Sequence, residues 1–167
     1  DRYQMTWGDL NRIALASALH DIGKIGIEEA ILNKPEKLTQ EEYEKMKKHT
    51  VIGWSMLQDL KQYQEEPLVR IAEQICRWHH ERYDGGGYPD GLKGEEIPIA
   101  AQVVSIADAY DALISPRVYK EGFSHEQAMQ MIRNGECGAF NPLLIECLED
   151  SQSRIRYLAS MTAERFS

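Results

Sequence analysis

Apolar residues recur at three- and four-residue steps along almost the whole chain, which is the spacing of amphipathic α-helices. The pattern therefore predicts an all-α fold. Trp7, Trp54 and Trp78 fall at helical spacing and are expected in the core. Capping residues or proline mark the helix starts. The starts identified in this way are Thr6, Thr39, Pro67, Pro98, Ser124 and Asn141–Pro142.

Side chains with metal-binding or catalytic chemistry lie on these helices or at their ends. The first helix is expected to run into an HDIGK motif, and the second to continue unbroken past a histidine. The third is expected to end in a pair of histidines, and the fourth to carry an aspartate on one face. The side chains concerned are His20, Asp21, His49, His79, His80 and Asp108.

The segment after the third helix, residues 81–98, has the sequence ERYDGGGYPDGLKGEEIP. Its glycines and prolines are incompatible with a regular helix or a central strand. We therefore expect an ordered loop that directly follows the histidine pair.

Composition limits the class of protein. The chain has 167 residues, 43% of them hydrophobic, and a net charge of −8, which is typical of a globular domain and opposes binding to nucleic-acid polymers. No apolar stretch approaches the roughly 20 residues of a membrane span, and no signal peptide is seen, so we expect a cytoplasmic protein. The scattered Cys76, Cys137 and Cys147 indicate neither a disulfide framework nor a zinc knuckle. The expected organisation is a domain over residues 1–150 and a helical tail over residues 151–167.

Imidazole nitrogens and carboxylate oxygens together form the ligand set of borderline first-row metals, and helices of a bundle commonly direct such ligands to a shared interior site. The sequence thus indicates a dinuclear centre. Taken singly, a histidine on a helix is more often an ordinary core or surface residue than a metal ligand. The combination of motifs, in order along the chain, favours the metal centre.

Two of these motifs are specific: HDIGK at residues 20–24 and HHERYDGGGYP at residues 79–89. With His49 between them and ADAYDAL after them, they resemble the HD-GYP family, a branch of the HD superfamily of metal-dependent phosphohydrolases. The resemblance extends from about Thr6 to Glu149. It implies an HD-type helical bundle with an ordered Gly-rich loop.

The same resemblance implies hydrolysis of the bacterial second messenger cyclic di-GMP to pGpG, to GMP or to both, through a metal-activated hydroxide. Two divalent transition-metal ions are implied, with iron or manganese expected first and nickel, cobalt and zinc left open. Asp21 is implied as the carboxylate that bridges them. The family's ligands fall on His20, Asp21, His49, His79, His80 and Asp108.

Four further positions match family residues near the substrate. Lys24 matches a lysine that faces the scissile phosphate, and its alternative is a solvated surface lysine. Asp111, Arg117 and Lys120 match substrate-side positions, where the two cations could hold the second phosphate. An ordinary ion pair between Asp111 and Arg117 is the alternative.

The tip of the loop, Gly87, Tyr88 and Pro89, is implied to contact diguanylate cyclase domains. A loop that only positions His79 and His80 is equally compatible with the sequence. An upstream sensory or receiver domain is a further implied partner.

Family members usually carry another histidine on a helix upstream of the HD motif, and the residues before His20 contain none. We expect the chain to be an N-terminally truncated fragment, although natural loss of that histidine is the alternative. One metal site would keep Asp21, His49, His79 and His80, while the other would lack a protein ligand. A fragment of this kind is expected to expose apolar surface, and a homodimer is left open.

Two other functions remain open. One is a non-catalytic module that binds cyclic di-GMP or docks a cyclase, and the other is an HD phosphohydrolase for a different nucleotide or cyclic dinucleotide. A module selected only for binding has no chemical need for the six implied ligands together. Their joint presence favours the enzyme.

Overall fold

A computed structural model of the chain describes residues 3–115 and 122–165. Within these ranges the structure contains nine α-helices and short 3-10 turns, with no strand, so the all-α prediction is confirmed. Among the described helices, none combines the length and the apolar character needed to traverse a bilayer. The helices are α1 (Trp7–Ser17), α2 (Glu29–Leu32), α3 (Gln40–Lys47), α4 (His49–Gln58), α5 (Pro67–Trp78), α6 (Ile99–Ile114), α7 (His125–Arg133), α8 (Pro142–Asp150) and α9 (Gln152–Arg165).

The chain forms two compact units, Asp1–Ser105 and Ile106–Ser167, with the boundary inside α6. The core of the first unit is built from α1, α4, α5 and the start of α6. It is a single buried cluster in which Ala16, Leu57, Ile75 and Val104 take part. This core fixes the relative positions of the three segments that carry the candidate ligands.

Helix starts follow the capping chemistry of the sequence. Thr6 and Asp9 form the predicted capping box at α1, and Thr39 and Glu42 form another at α3. Pro67 occupies the first turn of α5, where its missing N–H costs nothing.

The first two helices end earlier than the periodicity predicts. α1 ends at Ser17, so that His20 and Asp21 lie in the turn that leads to a 3-10 helix over Ile22–Gly26. The predicted second helix is in fact two, α3 and α4. At the break, the Lys48 N–H bonds to the Lys45 carbonyl at 3.1 Å, which closes a tight 3-10 turn and places His49 at the first position of α4.

Gly23 brings the 3-10 turn against α4. A Cβ at this position would lie 1.9 Å from the His49 carbonyl oxygen and 2.4 Å from the Gly53 backbone nitrogen. Only glycine allows this approach, which sets the turn that carries Asp21 beside the start of α4.

The expectation of three core tryptophans is wrong for Trp7, whose side chain is 82% exposed. Apolar spacing predicted a buried face, but the described residues cover this part of α1 incompletely. Trp54 and Trp78 are both half-buried.

The second unit has its own apolar core, in which Ile106, Met129, Ile132 and Phe140 are buried. α7 begins at the predicted capping box of Ser124 and Gln127. Asn141 caps α8, and the segment after residue 150 continues as helix α9.

Candidate metal centre

Four of the predicted ligands meet at one place in the first unit. Asp21 comes from the turn after α1, His49 from the first position of α4, and His79 and His80 from the end of α5. Each offers one ligand atom, and these four atoms lie within 4.8 Å of one another. His49 and His79 are buried at 1% exposure each, so the cluster is closed to bulk water on that side.

Backbone carbonyls fix the protonation of two of these imidazoles. His49 Nδ1 lies 2.7 Å from the Met46 carbonyl oxygen, and His79 Nδ1 lies 2.8 Å from that of Ile75. Because a carbonyl only accepts, Nδ1 carries the hydrogen in both rings. Burial lowers the pKa of both histidines, that of His79 to about 4, so at neutral pH the Nε2 atoms are unprotonated.

These two bare nitrogens face each other. His49 Nε2 and His79 Nε2 are 3.5 Å apart, and neither has a hydrogen to donate to the other. Two lone pairs in contact repel, and a shared cation removes that repulsion.

Asp21 adds a third acceptor to the same place. Its Oδ1 is buried without a hydrogen-bond partner, 3.4 Å from His49 Nε2 and 3.9 Å from His79 Nε2. Its Oδ2 accepts from Lys24 Nζ at 2.6 Å and lies 3.3 Å from His20 Nε2. Burial raises the pKa of this carboxyl, but hydrogen bonds from His20 and Lys24 outweigh burial and hold the pKa well below its ordinary value.

The residues therefore fit a divalent transition-metal ion. The Nε2 atoms of the neutral imidazoles of His49 and His79 converge with the ionised carboxylate of Asp21, whose buried Oδ1 accepts no hydrogen bond. The carbonyl contacts at Nδ1 are the outer contacts that orient histidine ligands in metal sites. If these side chains were held together by hydrogen bonds alone, Asp21 Oδ1 would be expected to have a donor.

His20 adjoins this cluster. Its ring contacts that of His79 edge-on with centroids 5.1 Å apart, and its Nδ1 lies 2.7 Å from the Ser17 carbonyl oxygen. The Nε2 of His20 faces Asp21, as do those of His49 and His79. His20 thus contacts the four-residue set without belonging to it.

The remaining predicted residues lie elsewhere in the chain. Asp108, half-buried, and Asp111, exposed, are on the part of α6 that belongs to the second unit. Arg117 and Lys120 lie outside the described residues. The Lys24 side chain is 40% exposed and pairs with Asp21, so it is neither buried nor a free surface lysine.

Glu81 holds the Gly-rich loop and was not singled out by the sequence. Its carboxylate is 3% exposed and accepts the backbone N–H groups of Asp90, Gly91 and Leu92 at 2.7, 3.0 and 3.1 Å. Charge-assisted bonds of this kind fix a loop that lacks regular structure. The available signal was an acidic residue directly before a glycine-rich segment and directly after two candidate ligands.

The Gly-rich loop folds back so that Tyr88 lies against the cluster of candidate metal ligands. The Tyr88 ring stacks on the His80 ring with centroids 4.9 Å apart and an interplanar angle of 29°. Gly87 allows this return, because a Cβ there would lie 2.3 Å from the Arg82 backbone nitrogen. The loop therefore positions at least one histidine of the cluster.

Comparison with known proteins agrees with this geometry. The family model of the HD domain matches residues 2–141. A probable cyclic di-GMP phosphodiesterase of Vibrio cholerae is 45% identical over 133 residues, which cover 78% of this chain and 30% of that protein. A cyclic di-GMP phosphodiesterase of Thermotoga maritima is 43% identical over 137 residues, 82% of this chain and 36% of the relative.

A third relative carries a different substrate in its name. The 3′3′-cGAMP-specific phosphodiesterase 2 of Vibrio cholerae is 38% identical over 146 residues, 87% of this chain and 27% of the relative. This chain thus spans about a third of the length of the curated relatives that it matches. The family match over residues 2–141, together with the HDIGK and HHERYDGGGYP motifs, identifies the chain as a member of the HD domain family, in its HD-GYP branch.

Proposed function

We propose that this chain is the catalytic domain of a metal-dependent phosphodiesterase that hydrolyses cyclic di-GMP to pGpG, GMP or both. The observation that carries the proposal is the buried Asp21 Oδ1, which has no donor and lies 3.4 and 3.9 Å from the unprotonated Nε2 atoms of His49 and His79. The names of several relatives point to the same chemistry.

Asp21, His49, His79 and His80 are the proposed ligands of one divalent ion. His20 and Asp108, with Asp21 as the bridge, are the proposed ligands of a second, with iron or manganese as the metals. When bound, such ions lower the pKa of a coordinated water and neutralise phosphoryl oxygens.

The chain's own groups prepare the site for that chemistry. The carbonyls of Met46 and Ile75 hold the hydrogen on Nδ1 and leave Nε2 free. Because the pKa of Asp21 is lowered, its carboxylate stays ionised throughout the neutral range. Cation binding therefore requires no proton release from His49, His79 or Asp21 near pH 7.

Lys24 is the proposed catalytic cation. Its ammonium sits beside Asp21, partly exposed, where it could approach an anionic phosphodiester. We propose that it stabilises charge on the scissile phosphate or on the leaving oxygen. Asp111, Arg117 and Lys120 are proposed to bind the substrate, with the two cations on its second phosphate.

For the identity of the cyclic dinucleotide substrate, there is a second candidate. Relatives named for 3′3′-cGAMP are 38% and 35% identical to the chain, close to the identity of the cyclic di-GMP relatives. Both molecules contain a cyclic bis-phosphate and at least one guanine. We favour cyclic di-GMP and treat 3′3′-cGAMP as the second candidate.

We further propose that the loop has two roles. Tyr88 positions His80, and the loop tip of Gly87, Tyr88 and Pro89, with the exposed Asp84 and Gly86 of the same loop, offers a surface for a diguanylate cyclase domain. An upstream sensory or receiver domain, a homodimer and a cytoplasmic location complete the proposed setting. A relative from Xanthomonas campestris, named as a cyclic di-GMP phosphodiesterase response regulator and 38% identical over 146 residues, supports the upstream receiver domain.

The test is a hydrolysis assay on the natural polypeptide that contains this sequence. The polypeptide is stripped of metal, reloaded separately with Fe²⁺ or Mn²⁺, and given cyclic di-GMP or 3′3′-cGAMP. Products are separated by chromatography, which distinguishes pGpG from GMP. Metal content is measured on the same samples.

The proposal predicts metal-dependent turnover of cyclic di-GMP that Asp21→Asn abolishes and Asp59→Asn, a change at an exposed position, preserves. Faster turnover of 3′3′-cGAMP would select the second candidate and reject the first. Tight binding of cyclic di-GMP by the metal-loaded polypeptide without any product would reject the enzyme and favour a binding module.

A further inference from the structure

A cavity of about 370 Å³ lies in the first unit between the end of α4, the turn before α5, and α5 itself. Its lining includes Trp54, Trp78, Gln64 and Glu73. None of these residues belongs to the metal cluster or to the proposed substrate contacts. The volume is within the range of small-molecule sites.

The aromatic walls of this cavity are fixed. Trp78 Nε1 donates to Asp90 Oδ2 at 2.7 Å, and the Arg77 guanidinium carbon lies 4.5 Å from the centroid of the Trp54 ring. Arg77 also donates to both oxygens of Asp90, at 2.8 and 2.9 Å. The two indoles are thus held in place before any ligand arrives, which reduces the entropy that binding would cost.

Two of the polar side chains around the cavity already donate hydrogen bonds within the chain. Gln64 Nε2 donates to the carbonyls of Leu57 and Gln58 at 3.0 and 3.3 Å. Arg70 donates to the Gln64 carbonyl at 2.9 Å and pairs with the Glu65 carboxylate. Both N–H groups of the Gln64 amide and two of the Arg70 N–H groups are therefore used within the chain.

Glu73, in contrast, has an acceptor oxygen that no donor in the described part of the structure uses. Its Oε1 is buried and has no hydrogen-bond partner. A buried acceptor without a donor is costly, and a ligand that brings an N–H group removes the cost. The cavity therefore favours a flat molecule that carries N–H donors along one edge.

We propose that this cavity binds a guanine base. Guanine presents N1–H and an exocyclic N2–H side by side, which matches the two oxygens of a carboxylate such as Glu73. Its bicyclic ring supplies the flat surface that Trp54 and Trp78 can contact. Adenine offers only the N6–H donor on this edge, and the lone pair of its N1 would face the second carboxylate oxygen of Glu73, so a site of this kind discriminates against adenine.

The natural source of the base, a guanine nucleotide released from the messenger, is an assignment that rests on the proposed function. The cavity itself does not depend on it. Its wall is joined to the Gly-rich loop, because Asp90 accepts from Trp78 and its own N–H donates to Glu81. An occupied cavity would therefore stiffen the anchor of the loop that carries Tyr88.

The test uses guanosine, which has no phosphate, and the metal-free chain in EDTA, so that the metal centre contributes no binding. The background is Trp7→Phe, because Trp7 is exposed and its emission would mask that of Trp54 and Trp78. Tryptophan fluorescence is followed during titration with guanosine, adenosine and 1-methylguanosine. Glu73→Gln is compared with Glu66→Gln, a change at an exposed residue near the same helix.

We expect saturable binding of guanosine, weakened roughly tenfold or more by Glu73→Gln and unchanged by Glu66→Gln. Adenosine and 1-methylguanosine, in which the N1 donor is absent, should bind at least tenfold more weakly to the chain with Glu73 intact, so the result does not depend on folding of the variant. Guanosine that fails to saturate, or adenosine that binds equally well, would overturn the proposal.

The experiments distinguish failure of the guanine-site proposal from failure of the proposed phosphodiesterase function. Loss of guanosine binding with intact hydrolysis of cyclic di-GMP rejects only the cavity assignment. Absence of hydrolysis with guanosine binding that depends on Glu73 rejects only the phosphodiesterase.

Discussion

Tyr88 stacks on His80, with ring centroids 4.9 Å apart and an interplanar angle of 29°. This contact joins the tip of the Gly-rich loop to a histidine that lies beside three other candidate ligands. The loop thereby contributes to the shape of the cluster, whatever else it binds. His80 also contacts the His79 ring at 4.0 Å between centroids, so a shift of His80 would disturb both rings.

Removal of the Tyr88 ring should weaken metal binding. Residues that orient ligands typically contribute about 10- to 100-fold to metal affinity, so we expect Tyr88→Leu to weaken Mn²⁺ binding by roughly tenfold or more. Tyr88→Phe keeps the stacked ring and should bind Mn²⁺ within a factor of about three of the native chain, which is under 1 kcal/mol. Competition against a fluorescent chelator measures the affinity, and equal affinity for Tyr88→Leu and the native chain would contradict the positioning role.

Glu81→Gln should loosen the loop. The glutamine retains one acceptor oxygen but turns an amide NH₂ towards a backbone N–H that now lacks a partner, and a buried loss of this kind costs about 1–3 kcal/mol. Urea unfolding should show this decrease, and hydrogen exchange should accelerate at the amides of Asp90, Gly91 and Leu92.

The matched control is Glu146→Gln on α8, where the side chain is exposed. It should change neither the unfolding free energy by more than about 0.5 kcal/mol nor the exchange of the three loop amides. Unchanged exchange in Glu81→Gln would mean that the loop is held by other contacts.

Helix starts were predictable because capping is local chemistry. The capping boxes of Thr6 with Asp9 and of Ser124 with Gln127 involve residues three positions apart, and each occurs where the sequence indicates. The break at Lys48 was not predictable, since no glycine or proline marks it and the helical spacing continues across it. It is visible only as the tight hydrogen bond from Lys48 to Lys45.

The candidate site also combines features that the sequence predicts with features that only the structure shows. Order and spacing of the histidine motifs predicted convergence, and the structure brings Asp21, His49, His79 and His80 together; their role as ligands stays a prediction. The donor-free environment of Asp21 Oδ1 could not be predicted, because it depends on the directions of side chains from three separate segments. The exposure of Trp7 was missed for a related reason: spacing identifies an apolar face but not what covers it.

Metal should stabilise the chain only when Asp21 is ionisable. A ligand that binds the folded state alone raises stability by about 2.7 kcal/mol at a concentration one hundred times its Kd, so the melting temperature of the native chain should rise with added Mn²⁺. Asp21→Asn removes the charge that balances the cation and should abolish this rise. Asp59→Asn, at an exposed position, should leave it intact, and a rise of the same size in Asp21→Asn would exclude Asp21 as a ligand.

Gly23→Ala should be strongly destabilising. The added Cβ would lie 1.9 Å from the His49 carbonyl oxygen, so either the turn or the start of α4 must move, at a cost of about 3 kcal/mol. Metal affinity should fall as well, because the shift separates Asp21 from His49. Chemical denaturation and Mn²⁺ titration measure the two effects.

Gly8→Ala is the matched control for this change. A Cβ at Gly8, within α1, has only ordinary contacts of 3.5 Å or more, and alanine is the better helix former, so stability should rise by about 0.5–1 kcal/mol. Equal effects of the two substitutions would show that the close approach at Gly23 does not position the metal cluster.

Cys76 should resist thiol reagents across the neutral and mildly alkaline range. Burial raises the pKa of its thiol to about 12, and the negative charges of Asp21 and Glu73 act in the same direction. Since the thiolate is the reactive form, a raised pKa means that the protonated thiol persists until the pH approaches that value.

Cys147 is exposed and should react within minutes at pH 8. Alkylation at pH 7, 8 and 9, followed by mass spectrometry of the peptides, should label Cys147 at every pH and leave Cys76 unlabelled in the folded chain. In denaturant both should be labelled, and modification of folded Cys76 at the rate of Cys147 would show that the α5 face beside His79 opens to solvent.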